Sequence, residues 1–485
     1  MKVKGLNWAG RSFILPLVIV LLLLASVVKN SVAYTSVSGT ISSDTTWTIA
    51  NSPYIVTGGV VVSSGVTLTI ESGVTVKLDS GKAFQIDGAL IAKGTNSEKI
   101  TFTRNSGNNW GYILFSNSST DASYDSSGNY TSGSILEYCV VEYAGGVSVS
   151  DNGAIRLNNA HPFINYCTIS NNTVSGIHAY NISGTLKISN STITDNKSSS
   201  YGGGVYVYHT SGGITTISGN TIKGNTATSS YGGGIYSNSG TVTITNNIIS
   251  GNTAYIGGGI YCNSSTTIIN NIISGNTTSG SGGGIYCFSY QVTITNNTIS
   301  GNSANNATAV YYNSSDGKDF KYNTITGNKA TSNTNTYAVY VNTYPYFNYN
   351  NIYSDSSSYE IWFNKSQGSS NLDAENNWWG SSDDTTVQDK IYDFVDDSTK
   401  AIVDYSPYAT SIRTDCPISP PTGLTATTGT GQITLSWSGN PESDLTGYKV
   451  YWDTGSGYSY ANSADVGNTT SYTITCLATC KYVTV

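Results

Sequence analysis

The chain has 485 residues, 38% of them hydrophobic and only 11% charged, with a formal net charge of -7. That balance excludes a disordered polyelectrolyte. An acidic surplus without a basic stripe excludes nucleic acid and anionic headgroups as partners and leaves neutral or cationic ligands open.

Residues 1–33 read as a signal peptide. Lys2, Lys4 and Arg11 precede an apolar run from Phe13 to Val28, and Ser31-Val32-Ala33 supplies the small residues of a cleavage site. The mature chain is expected to begin near Tyr34, to have no membrane span, and to be secreted or held at the cell surface. The alternative is that the apolar run stays as an uncleaved anchor, and both readings place the remainder outside the cytoplasm. Removing the segment takes the formal charge from -7 to -11.

Residues 34–102 form short alternating segments such as Val66-Thr-Leu-Thr-Ile70 and Val74-Thr-Val76, broken at Gly58-Gly59, Gly73, Gly88 and Gly94. They predict strands with glycine turns, an N-terminal cap and first coils. Over residues 103–375 a repeat takes hold. Gly-Gly-Gly-aliphatic-Tyr recurs at Gly202–Tyr206, Gly232–Tyr236, Gly257–Tyr261 and Gly282–Tyr286, with steps of 30, 25 and 25 residues. A period of this size means that each repeat buries its apolar face only by stacking on its neighbours.

Three apolar columns follow. One is Ile169, Ile193, Ile222, Ile249, Ile273, Ile299 and Ile325, each with Asn three positions later. Five residues earlier stand Ile164, Ile188, Ile217, Ile244, Ile268, Ile294 and Phe320. The third runs from Ile155 and Ile177 through Val205, Ile235, Ile260 and Ile285 to Val310, Val339 and Ile361. Three inward columns separated by Asn and Gly turns describe an all-β, three-sided parallel solenoid, and the scarcity of helix formers disfavours leucine-rich or helical repeats.

These Gly-Gly-Gly-Ile-Tyr and Ile-Ser-Gly-Asn repeats resemble right-handed parallel β-helix proteins of bacterial and archaeal surfaces, including the polymorphic outer-membrane-protein repeat class. The resemblance covers about residues 40–410. It implies a right-handed single-stranded parallel β-helix, the hand also following from the crossover rule. Asn376-Asn-Trp-Trp-Gly380 with Ile391–Phe394 and Tyr405–Tyr408 resembles the end cap of such proteins, residues 376–410 here. A last coil needs that cover because its open backbone edges template aggregation.

After a linker over 411–421, residues 422–485 resemble a fibronectin type III sandwich. Leu424–Ala426, Ile433–Trp437, Gly447–Tyr451 and Ser471–Ile474 match strands A, B, C and E, with Trp437 as core tryptophan and Leu477 and Tyr482 near the tyrosine corner. The resemblance stops before the last strand, so a partial sandwich and a fragment of a longer reading frame are expected.

The residue after each aliphatic of the glycine motif must point outward, giving a column of Arg156, His178, Tyr206, Tyr236, Tyr261, Tyr286, Tyr311, Tyr340 and Trp362. At ladder spacing it extends roughly 38 Å. From Tyr206 to Trp362 it is either a binding stripe for an extracellular glycan or cell-surface polymer, or a stabilising ladder of stacked rings. The Asn columns, Asn220 to Asn323 and Asn225 to Asn328, predict buried amide ladders. Cys139 with Cys167 and Cys262 with Cys287 predict stacked free thiols, because parallel side-chain vectors suit a disulfide poorly; Cys416, Cys476 and Cys480 leave an odd thiol.

The lyases and pectinases on this fold imply clustered acids, which the columns lack. Arg156 and His178, with Asp195 close in sequence, are the one proton-handling pair on offer, against a solvated surface pair as the commoner case. No cofactor or metal site is expected, and Asp383-Asp384 and Asp396-Asp397 read as solvated cap acids. The expected function is non-catalytic adhesion or glycan binding, with a polysaccharide lyase or glycoside hydrolase and a structural surface spacer as alternatives.

Overall fold

The computed structural model describes residues 34–484 apart from 151, 211, 317, 333–335, 454–461 and 476–481. The expected signal segment, Cys476, Leu477 and Cys480 therefore lie outside the described residues, as does the side chain of Tyr482. Among the described residues no helix is long and apolar enough to cross a membrane.

About thirteen coils stack as one parallel β-solenoid. One lap reads Val205–His209, Ile214–Ser218, Thr221–Lys223 and Thr226–Ala227. In the next laps the first two segments fuse into the single bent strands Ile235–Thr245, Ile260–Ile269 and Ile285–Thr295. All three apolar columns are in register: Ile235 lies opposite Ile260 and Ile260 opposite Ile285, Ile244 opposite Ile268, and Ile249 opposite Ile273. Their side chains are fully buried and merge into one core running from Trp47 to Val403. Period-two alternation sends every second β-branched side chain inward, and the lap length places like on like.

Where three sides were expected, the structure adds a short fourth. Two-residue strands from Lys197–Ser198 to Lys329–Ala330 form a six-stranded ladder of their own. Its inward side chains are Ser198, Ala227, Ala254, Thr278 and Ala304, too small to register as a hydrophobic column. The glycine triplet follows this corner, and there the backbones of successive laps touch. A Cβ on Gly203 would sit 2.5 Å from the carbonyl oxygen of Gly233.

Two of the corners are pinned by asparagine ladders. At one, a left-handed Gly251 or Gly275 precedes the buried Asn252 or Asn276; at the other, a left-handed Asn246 or Asn270 precedes the buried Asn247 or Asn271. Each amide works on three coils. Asn252 Nδ2 donates to the Ile222 carbonyl of the lap below (2.9 Å) and to Asn276 Oδ1 of the lap above (2.9 Å), while Asn252 N donates to that same oxygen (3.0 Å). The second ladder extends past the expected Asn323 through Asn350 to Asn377, inside the end cap. Buried corner amides and carbonyls that water cannot reach are thereby paired.

The lap between Phe115 and Leu157 carries an excursion, an antiparallel pair of Ser123–Tyr124 and Tyr130–Ser132. Tyr124 meets Phe163 edge-on at 5.7 Å, and Lys187 Nζ lies 3.8 Å above the Tyr124 ring. At the other end, buried Trp379 and the helix Asp384–Gln388, with Val387 turned inward, cover the last coil. Asp383 caps that helix by accepting from Thr386 N at 2.9 Å.

The linker segment lies as a strap against the solenoid. Arg413 and Asn351 exchange two hydrogen bonds of 2.9 Å, Cys416 Sγ donates to the Tyr349 carbonyl (3.1 Å), and Thr324 and Thr298 donate to the carbonyls of Pro417 and Ile418. Asn351, Thr324 and Thr298 are vertical neighbours, so the strap runs down the coil stack. Beyond it, two antiparallel three-stranded sheets close over Leu435, Trp437, Tyr448, Val450 and Ile474. Glu442 of this unit accepts from Ser419 N at 2.7 Å and from the Tyr353 hydroxyl at 3.5 Å, tying it to the strap and the solenoid.

Replacing Asn252 by Leu strands the Ile222 carbonyl and the Asn225 amide that donates to Asn252 Oδ1. A loss of about 2–4 kcal/mol is expected in denaturant unfolding, with Thr243→Ala on the outer face close to neutral. Equal melts for Asn252→Leu and parent would refute the pinning role.

Candidate functional site

The outward column is a stack of rings. Tyr206, Tyr236, Tyr261, Tyr286, Tyr311 and Tyr340 follow one another at centroid distances of 5.2, 5.1, 5.3, 4.3 and 4.5 Å, with planes within 13° of parallel. Trp362 stands opposite Tyr340 and stacks on Tyr392 at 3.6 Å. Strand spacing sets this distance, so identical rings on successive laps are driven face to face. A second rank folds over them: Tyr201 lies 4.8 Å from Tyr236 and Tyr231 5.0 Å from Tyr261. The expected exposed stripe is therefore largely covered. Tyr236 is only 8% exposed and belongs to the buried class, and the others are half-buried. Burial, ahead of the neighbouring phenols and thiols, pushes the Tyr261 hydroxyl up to about 12.

Arg156 and His178 were expected on a solvated surface, but they are 7% and 4% exposed. The Arg156 guanidinium lies 4.4 Å from the Tyr112 ring centroid, and the His178 ring stacks on Tyr206 at 4.1 Å. Planar groups in the ladder column continue the stack, so this pair forms its first rungs. Burial first, and the Arg156 charge second, lowers His178 to about 3. The imidazole is neutral near pH 7, and one of its faces is covered by Tyr206. Asp195 occupies the left-handed turn before Asn196, where Thr194 donates to its carboxylate at 3.1 Å.

The remaining histidines, His161 and His209, are held by internal partners. His161 Nδ1 meets Asp121 Oδ2 at 2.8 Å and its Nε2 accepts from Gly184 N at 2.9 Å. His209 spans Ser239 O at 2.9 Å and the Thr215 hydroxyl at 3.0 Å. Both nitrogens of both rings are occupied in fixing loops. Cys262 and Cys287 are buried vertical neighbours whose sulfurs face each other without a disulfide bond, and Cys139 and Cys167 are likewise buried vertical neighbours.

The columns contained no acid pair, yet the structure makes one. Asp355 takes the place of the next asparagine in a ladder, accepting from Asn328 Nδ2 at 2.8 Å, and hydrogen-bonds Glu360. Glu360 is buried, Asp355 is half-buried with its Oδ2 shielded from solvent, and Lys390 Nζ lies 3.2 Å from Glu360 Oε1. Asp355 Oδ2 and Glu360 Oε2 would each lack a donor if both acids were ionised. One proton held between them satisfies both oxygens, and burial raises both carboxyls above their ordinary range. Among the described residues no group of three or more His, Cys, Asp or Glu is placed to hold a metal ion.

Two features escaped the column reading. From Gly224 to Ser315 the sequence contains no Asp, Glu, Lys, Arg or His, so the surface of the most regular coils carries hydroxyls, amides, aromatic rings and the exposed Ile248 and Ile272, without formal charge. Plotting charge along the chain, rather than totalling it, would have found this. The second lies beside the ring ladder, two residues further along each strand, where Asn238 faces Asn263 and Asn313 hydrogen-bonds Asn342. Phe288 interrupts this amide column opposite Asn313 and is 52% exposed. A groove of 460 Å³ opens there, bounded across from Phe288 by Thr343 and Tyr344. Its signal in the sequence was a phenylalanine among the amides that hold this column from Asn238 to Asn364.

Residues 199–377 match the family described as the right-handed beta helix region. The repeat region is thus a right-handed parallel β-helix, as the glycine and asparagine motifs implied. Neither the curated proteins nor the solved structures contain a match to the chain.

Two outcomes test these assignments. Because their folded-state pKa is raised, the carboxyl pair binds its proton more tightly folded than unfolded, so stability should fall as pH rises from the ordinary carboxylate range through the raised value. Asp355→Asn supplies an amide donor without that proton and should melt higher than the parent at neutral pH, with a flatter pH profile; a lower melt would refute the shared proton. Ladder phenols raised above 10 likewise lose stabilising protonation as pH climbs beyond 10 toward about 12. Ultraviolet titration should show a delayed class of tyrosines ionising together with unfolding.

Proposed function

We propose that this protein is a secreted or cell-surface, non-catalytic β-helix stalk that binds an uncharged glycan along its ladder face. The supporting observation is the charge-free belt over residues 224–315, which carries the tyrosine hydroxyl edges and an amide column side by side. A surface without charge has no long-range pull on ions. Its short-range chemistry, hydroxyls and amides between aromatic edges, matches the hydroxyls and C–H faces of a sugar polymer. Export rests on the apolar N-terminal run after three basic residues. A non-catalytic role is favoured because His178 is buried in the ring stack, His161 and His209 are held by internal hydrogen bonds, and the buried Glu360 is paired with Lys390.

A glycan array probed with protein recovered from an exporting host tests this reading. Retention of uncharged glycans is expected, and raising salt from about 0.05 M to about 0.5 M should leave affinity within roughly twofold, since no ion pair carries the contact. An empty array, or binding abolished by salt, would overturn it.

A further inference from the structure

Repetition builds the solenoid, so the place where its outer surface departs from repetition stands apart. At the groove beside the ladder, Phe288 replaces an amide and exposes half of its surface. Across from it Tyr344, 39% exposed, is braced edge-on by the buried Phe363 at 5.8 Å. Between the two rings, Asn342 Nδ2 reaches Asn313 Oδ1 only at 3.4 Å, a weak bond that leaves most of both amides' capacity unused. Thr343 lines the same groove. Its hydroxyl is buried, the residue being 9% exposed, and has no hydrogen-bond partner among the described residues. A buried hydroxyl left unpaired is costly and calls for a partner from outside the chain. Lys365 Nζ lies 5.5 Å from the Tyr344 ring centroid and, among the described residues, has no carboxylate within ion-pair distance.

We propose that this groove is a subsite for a 2-acetamido sugar unit of an uncharged glycan, an assignment that rests on the glycan-binding reading above. Its volume lies in the range that takes small ligands, and its composition is that of a sugar site: two ring platforms with neutral polar groups between them. A pyranose presents a C–H face to one ring, and the acetyl methyl packs on the wholly apolar Phe288. The acetamido N–H and C=O match the acceptor and donor of the Asn313 and Asn342 amides, and Thr343 gains its missing partner from the same group or a neighbouring hydroxyl. Lys365 donates to a sugar oxygen at the groove mouth. Among the described residues the groove's lining contains no carboxylate, so its acceptors are amide and hydroxyl oxygens, suited to an amide donor.

The test compares the β-1,4 trimer of N-acetylglucosamine with that of glucose by titration calorimetry on the full chain. The two trimers share a backbone and differ at C2. The acetamido trimer should bind at least tenfold more tightly, because the glucose trimer leaves the amide groups and Thr343 unpaired. Phe288→Ala should weaken the acetamido trimer by about tenfold or more, and Thr343→Val by several-fold, each with a thermal melt like that of the parent. Equal affinity for both trimers, or full affinity in Phe288→Ala, would overturn the subsite. If glycans are retained on the array but neither trimer binds, the subsite falls and the glycan-binding reading stands. If the array is empty, both fall.

Discussion

Vertical register is the constraint on which the rest of the molecule depends, and the buried asparagine ladders hold it. An apolar side chain tolerates a sliding neighbour, since dispersion is undirected. An amide with two donors and an acceptor spread over three coils does not. If one lap slipped by a residue, Asn252 would leave the Ile222 carbonyl and Asn276 unpaired and would drive an aliphatic side chain into the corner. The isoleucine columns supply most of the burial; the asparagines decide which residue lies over which.

Register then dictates the fate of the outer columns. Because each lap sits one strand spacing above the last, a tyrosine repeated at one position must stack, and its faces close against its neighbours. The column that looks most like a ligand surface in sequence becomes part of the scaffold, with Arg156 and His178 drawn in as its first rungs. Its hydroxyl edges stay at the surface beside the amide column, and a groove opens where repetition fails, at Phe288 and at the loop carrying Thr343 and Tyr344. In a repeat protein the exceptions to the period are the places free to do something other than stack.

Charge follows the same division. Charged side chains are kept out of the most regular coils, and the buried Glu360 is compensated by Lys390 and by its hydrogen bond with Asp355. The middle coils carry none from Gly224 to Ser315. A parallel stack explains the avoidance, since a charge in one column would face its own repeat about 4.8 Å away on the next lap.

The glycine triplets, the three apolar columns and both asparagine ladders were legible without coordinates, because every residue in them repeats at the lap period and lap-to-lap pairing is the only contact needed to place it. The right hand and the end cap followed from the same motifs by resemblance. What the sequence could not determine are the contacts between residues that share no period. The short fourth side is built from side chains too small to mark it. The strap over Asn351, Thr324 and Thr298 joins segments some 60 to 120 residues apart. The second tyrosine rank depends on how the loop before each glycine triplet folds back. The shared proton of Asp355 and Glu360 arises only when a turn and a strand meet inside the last coil. Periodicity encodes the neighbours above and below, whereas neighbours across a corner or a loop are set by chain path, which only the folded structure supplies.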